Sequence, residues 1–154
     1  MRISVEDQNP TRKTDLNEIK RVADKAVRSV FGKASFELNI VLVTDARIKA
    51  MNRKYLNENR VTDVLAFPGP GSDGRSGMFG SDRAKFLGDI AISSDRAARN
   101  AVLYGVPFNE EVARYVVHGV LHLAGYDDAS RSGKEKMTEK EDDILEEAFK
   151  KKQK

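Results

Sequence analysis

The sequence predicts a single α+β domain: a four-stranded mixed β-sheet packed with about five helices, with a metal site on a central helix. Three observations predict it. Short alternating segments and longer segments of helical period follow one another in the order βαβαββααα, with two strands adjacent in the middle and helices gathered at the end. The 154 residues contain no repeat and no linker, a length that suits one domain able to bury a core without disulfides. The only two histidines stand four apart, inside an apolar run of helical period.

Ile3 and Val5 alternate with polar residues and give a short first strand before the Asn9-Pro10 turn. Asp15, with Glu18 three residues on, forms a capping box. It opens a helix whose apolar face is Leu16, Ile19, Ala23, Ala26, Val27 and Val30, and Gly32 stops it. Phe36, Leu38, Ile40 and Leu42 alternate as a second strand, while Val41 and Val43 predict partial burial of its other face. Asp45 is the expected cap of a helix carrying Ile48, Met51 and Tyr55. Val64 to Phe67 reads as a third strand and Phe86 to Ser93 as a fourth, paired antiparallel with it.

Between those strands, Pro68 to Lys85 is rich in Gly, Ser and charge and has no period. Its glycines do not follow a strand into a helix, as a phosphate-cradling loop requires, so the stretch reads as a mobile hairpin connection, with a substrate lid as the alternative. Ser94 opens a helix through Tyr104, ended by Gly105. Asn109 starts the next, with Val112, Tyr115, Val116, Gly119, Val120 and Leu123 at core spacing. Ser132 and Glu135 form a capping box for a last helix with Met137, Ile144, Leu145 and Phe149 facing inward.

Composition narrows the function classes. With no cysteine, neither a thiolate metal site nor a disulfide framework can form. The N-terminal MRISVEDQNP lacks the basic-then-apolar pattern of a signal peptide, and no apolar run approaches membrane-spanning length, so a cytoplasmic location is expected. The net charge of +3 is compatible with a polyanionic partner. Much of that excess is Lys150, Lys151, Lys152 and Lys154, read as a solvated helix end favoured by the helix dipole.

The chemistry concentrates in His118 to Asp128. Residues four apart lie one turn above each other on one helix face, so both imidazoles can point at one spot. Gly125 is placed to end the helix in left-handed conformation, and the chain can then fold back to bring Asp127 or Asp128 to the rings. Two imidazoles and one carboxylate make a three-ligand zinc site with an open position, the catalytic type. Asp128, six residues after His122, fits the ligand frame of some zinc hydrolases and is the preferred third ligand. Those enzymes that cleave peptides carry Glu directly after the first histidine as general base; here Gly119 stands there, which disfavours a metalloprotease.

His118, Gly119, Leu121, His122, Leu123, Gly125, Tyr126 and Asp127 resemble the H-G-x-L-H-L-x-G-Y-D-H signature of the YbeY family of bacterial endoribonucleases. Thr62-Asp63-Val64-Leu65-Ala66-Phe67-Pro68 resembles that family's P-T-D-V-L-S-F-P segment, and Leu87-Gly88-Asp89-Ile90-Ala91-Ile92-Ser93 its L-G-D-I-x-I-S strand. The resemblance implies the same α+β fold. It also implies one zinc ion per chain and single-strand-specific cleavage of RNA in ribosomal RNA maturation, at the 3′ end of the small-subunit RNA, and in ribosome quality control. The partners it implies are single-stranded RNA, ribosomal RNA or the small ribosomal subunit, with no DNA and no membrane.

Asp128 stands where the family has a third histidine, Val61 where it has the proline, and Leu56 where it has an arginine. Arg60 is the expected catalytic stand-in for that arginine, and Arg53, Lys54 and Arg114 are the candidate RNA-binding cations. A non-catalytic ribosome-assembly factor that keeps a metal for structure is the alternative, supported by Leu56.

Overall fold

Alternation and helical period become nine elements in the expected order: β1 (Arg2–Asp7), α1 (Leu16–Phe31), β2 (Phe36–Val43), α2 (Asp45–Leu56), β3 (Val64–Pro68), β4 (Lys85–Ser93), α3 (Ser94–Tyr104), α4 (Phe108–Leu123) and α5 (Arg131–Ala148). The structure, a computed structural model, describes residues 1–69 and 85–150. Positions 70–84 of the glycine-rich connection and the lysines from 151 onward lie outside the described residues.

The four strands form one sheet in the order β1-β2-β4-β3. β1 pairs parallel with β2, and β2 parallel with β4, while β3 pairs antiparallel with β4 through Ala66 opposite Ile90 and Pro68 opposite Gly88. Parallel neighbours need a covering crossover, and α1 supplies the first. Its inward stripe of Ile19, Val22, Ala23, Ala26 and Val27 joins Leu38, Ile40 and Leu42 of β2, Ile90 and Ile92 of β4, and the apolar side of α4 in the main core. The opposite sheet face carries a smaller cluster in which Ile48 of α2 meets Val43, Leu65 and Ala91, with Val41 partly buried beside them. That is the second-face burial expected of β2. Each large aliphatic side chain so buried contributes on the order of 1.5–3 kcal/mol over leaving it in water.

Four local expectations are corrected. Thr44, not Asp45, caps α2 by accepting from the Arg47 N–H; the Asp45 carboxylate instead accepts from Ser93 Oγ at 2.7 Å. Tyr55 does not point inward: it is exposed and packs edge-on against Phe67. α4 begins at Phe108 after Pro107, whose fixed φ suits a helix entry, with no side-chain cap from Asn109. Ser130, not Ser132, caps α5, because its Oγ accepts from the Gly133 N–H at 2.9 Å. Each serine or threonine hydroxyl is short enough to serve either of two neighbouring starts, and tertiary contacts choose between them.

Candidate metal centre

α4 lies over β3 and β4, seated by its glycine. A Cβ on Gly119 would come within 2.8 Å of the Ile90 side chain, so a larger residue there would lift the helix from the sheet. From Glu111 to Leu123 every residue is buried except Arg114, His118 and His122. Spaced four apart, these three form a single polar stripe along the helix.

Gly125 has φ 96° and closes the helix as expected. The Tyr126 N–H returns to the Leu121 carbonyl at 3.0 Å and the Gly125 N–H to that of His122 at 3.0 Å, so the chain reverses over the last turn. Asp127 is used within this turn, its Oδ1 accepting from the Ala129 N–H at 2.8 Å. Asp128 is the carboxylate that faces the rings. His118 Nε2 and His122 Nε2 are 3.0 Å apart, and Asp128 Oδ2 lies 3.8 Å from the first and 3.9 Å from the second.

These three atoms test whether a metal fits. A point equidistant from them lies about 2.1 Å from each, against zinc–imidazole and zinc–carboxylate bonds of roughly 2.0–2.2 Å. The donor set is nitrogen, nitrogen and oxygen, which suits zinc and its neighbours rather than the all-oxygen shells of calcium or magnesium. The residues present fit a divalent transition-type ion and leave its fourth side open.

The His118 ring is held from behind. His118 Nδ1 donates to Glu141 Oε2 at 2.7 Å, which directs Nε2 toward the cluster. Burial disfavours a charged His118, yet the hydrogen bond and negative charge of Glu141 outweigh it and raise its pKa. His122 has burial and the charge of His118 against it, and its pKa is lowered. The two shifts favour a proton on His118 over one on His122, and a cation bound to these ring nitrogens would compete with it.

The cluster opens on a cleft of about 390 Å³. Asp63, from the loop before β3, lines it with Asn100 and Tyr104 of α3, Glu111, Arg114 and Tyr115 of α4, and Lys134, Thr138 and Glu141 of α5. Burial raises the pKa of Glu111 and of Tyr115, whose hydroxyl accepts from Asn100 Nδ2 at 2.6 Å. Of the candidate cations, only Arg114 reaches this cleft, and it is held by Glu141 at 3.2 Å and Asp142 at 3.0 Å. Arg53 and Lys54 line a separate groove along α2 with Lys49, Asn57 and Asn59. Arg60 is exposed, pairs with Glu58 at 2.9 Å and is not among the residues lining the cleft. Leu56 is likewise exposed, at the end of α2.

Glu141, Asp63, Tyr104 and Lys134 were not singled out from the sequence as site residues. Glu141 left a readable signal: it stands four residues after Met137 and three before Ile144, so a carboxylate falls on the apolar face of its helix. The other three carry no such mark.

Residues 3–148 match the family profile described as Endoribonuclease YbeY. A protein of that name from Salinibacter ruber is 34% identical over 148 residues, covering 93% of this chain and 89% of the relative. One from Bacillus velezensis is 33% identical over 145 residues, covering 93% and 92%. The solution structure of TM1509 from Thermotoga maritima is similar with a TM-score of 0.62 at 26% identity, covering 96% of this chain and 89% of that one.

Proposed function

The chain belongs to the YbeY family of endoribonucleases, and on that basis we propose that it is a zinc-dependent, single-strand-specific endoribonuclease. Its substrate is ribosomal RNA, at the 3′ end of the small-subunit RNA during maturation and in ribosome quality control. His118, His122 and Asp128 hold the metal. The observation that carries this reading is the triangle of 3.0, 3.8 and 3.9 Å between their ligand atoms, at the edge of an open cleft.

When bound, zinc supplies Lewis acidity beside the phosphate and a water whose pKa is lowered to about 7. The protein's own residues do the rest. Glu141 fixes the His118 ring, and the fold-back at Gly125 brings Asp128 to the pair. Four carboxyl groups, Asp63, Glu111, Asp128 and Glu141, line the cleft against two cations, Arg114 and Lys134. Such a cleft opposes a polyanion until a divalent cation changes its charge, which makes RNA entry depend on metal.

Gly119 speaks against peptide hydrolysis. Its Cβ direction is filled by Ile90, so the general-base glutamate of metalloproteases has no room there. The test of the main reading is cleavage of labelled single-stranded RNA, abolished by chelator and restored by zinc, with the His122→Ala protein purified in parallel to control for contaminating nuclease.

A second reading, a ribosome-assembly factor that keeps its metal for structure, is favoured by Leu56 and by the pairing of Arg60 with Glu58 outside the cleft. Wild-type cleavage that falls sharply in Arg60→Ala, with melting temperature unchanged, gives Arg60 the role of the missing cation. A wild-type protein that stays inert until Leu56→Arg is introduced selects the assembly factor instead.

A further inference from the structure

The C-terminal end of α3 is an anomaly on the surface. Val102, Leu103 and Tyr104 are three consecutive large apolar residues, 85%, 73% and 64% exposed. Helix ends rarely present such a run to water without a use for it. Val102 and Leu103 do not line the metal cleft, but Tyr104 does, on the same wall as Asn100 one turn earlier. The other tyrosine of that cleft, Tyr115, is 4% exposed and hydrogen-bonded to Asn100. Tyr104 has neither burial nor a hydrogen-bond partner among the described residues, so packing does not explain its place.

Its backbone, in contrast, is fixed. Gly105 closes α3 in left-handed conformation with φ 67°, and the Val106 N–H returns to the Ala101 carbonyl at 3.0 Å. A rigid helix end thus presents a free aromatic face at the rim of the cleft. Lys134, in the first turn of α5, lines the same cleft. Arg114 is already tied to two carboxylates, whereas Lys134 has no ion pair among the described residues. An open aromatic face and an unengaged cation in one groove are the pair of features that sequence-tolerant binding of single-stranded nucleic acid uses: a base stacks on the ring and the adjoining phosphate meets the charge.

We infer that Tyr104 and Lys134 form a nucleotide subsite beside the metal cluster, with a base of single-stranded RNA stacked on Tyr104 and a neighbouring phosphate paired with Lys134. This deepens the endoribonuclease reading and rests on it. The subsite is a binding element: it holds the strand across the cleft without touching the reacting phosphate.

The chain contains no tryptophan, so Tyr104→Trp places a single reporter at the proposed platform. Titrating this variant, zinc-loaded, with a short uncleavable 2′-O-methyl oligoribonucleotide should quench its fluorescence saturably. An abasic ribose-phosphate chain of the same length should not. Tyr104→Ala should weaken binding of the oligonucleotide by on the order of tenfold or more while leaving affinity for the abasic chain alone. Lys134→Ala should weaken both chains and reduce the slope of log affinity against log salt by about 0.7. Melting temperatures should be unchanged throughout, since both side chains are exposed.

Wild-type protein that cleaves RNA, combined with unmoved tryptophan emission and an unchanged Tyr104→Ala affinity, overturns the subsite and leaves the endoribonuclease reading standing. Zinc-loaded wild type that neither binds nor cleaves single-stranded RNA overturns that reading and the subsite with it.

Discussion

Two polar clusters sit at opposite kinds of junction, and they use the same groups differently. Around Asp95 both carboxylate oxygens have donors. Asp95 Oδ1 accepts from Asn9 Nδ2 at 3.0 Å and Arg12 Nε at 2.9 Å, and Oδ2 accepts from the Asp45 N–H at 3.0 Å. Asn9, only 4% exposed, also donates to Ser94 Oγ at 2.8 Å. The start of α2, the start of α3 and the loop after β1 are thereby tied together. Around His118 two ring nitrogens and a carboxylate face one another instead. Asp128 accepts no hydrogen bond among the described residues, and its oxygen lies 3.8–3.9 Å from two ring nitrogens that are themselves 3.0 Å apart. A closed cluster has spent its hydrogen-bonding capacity on holding the chain. The open one, with His118 held from behind by Glu141, leaves that capacity unspent.

The largest effect that would sharpen this contrast is loss of the metal. His122→Ala should abolish stoichiometric zinc, read by elemental analysis, and lower RNA cleavage by orders of magnitude, with little change in the melting temperature of the metal-free protein. Full metal occupancy in that variant would break the comparison at once. Glu141→Ala comes next. It frees the His118 ring from its partner and should lower zinc affinity roughly 10- to 100-fold, measured by competition with a chromophoric chelator.

Asp95→Asn should leave zinc affinity as it is and reduce stability by about 1.5–3 kcal/mol, the range for hydrogen bonds to a charged group. Burial alone would raise the pKa of Asp95, but its donors outweigh that and lower it. A depressed folded pKa contributes stability that is present above the unfolded value of about 3.9. That contribution is lost as pH falls through the folded value. Denaturant titrations should therefore show wild type and variant converging as pH falls below the ordinary carboxylate range; a gap that stayed constant down to the lowest pH would mean the charge of Asp95 is not what the donors hold. The smallest effect belongs to Asp128→His. Imidazole and carboxylate both ligate zinc, and the residue lies beyond the helix end, so metal and fold should persist while the pH–activity profile moves. An unmoved profile with unaltered zinc affinity would remove Asp128 from the ligand set.

The sequence by itself determined what depends on near neighbours along the chain. The element order follows from alternation and helical period, and the facing of His118 and His122 follows from a four-residue spacing on a helix. The reversal after Leu123 follows from a glycine at the position that needs positive φ. Even Asp128, six residues on, is within reach of that local geometry.

Only the tertiary structure decided what depends on residues far apart. The sheet order puts β4 between β2 and β3, which no local pattern encodes. Glu141 meets His118 across 23 positions because α5 packs on α4, and Tyr104 and Lys134 meet at one cleft because α3 and α5 flank the same helix. Conversely, Arg53, Lys54 and Arg60 are near the right segment in sequence yet face elsewhere, since α2 covers the opposite side of the sheet from α4. Spacing fixes direction within one helix, where the backbone is a rigid ruler. Between helices, direction is set by which apolar faces bury one another, and a surface cation takes no part in that choice.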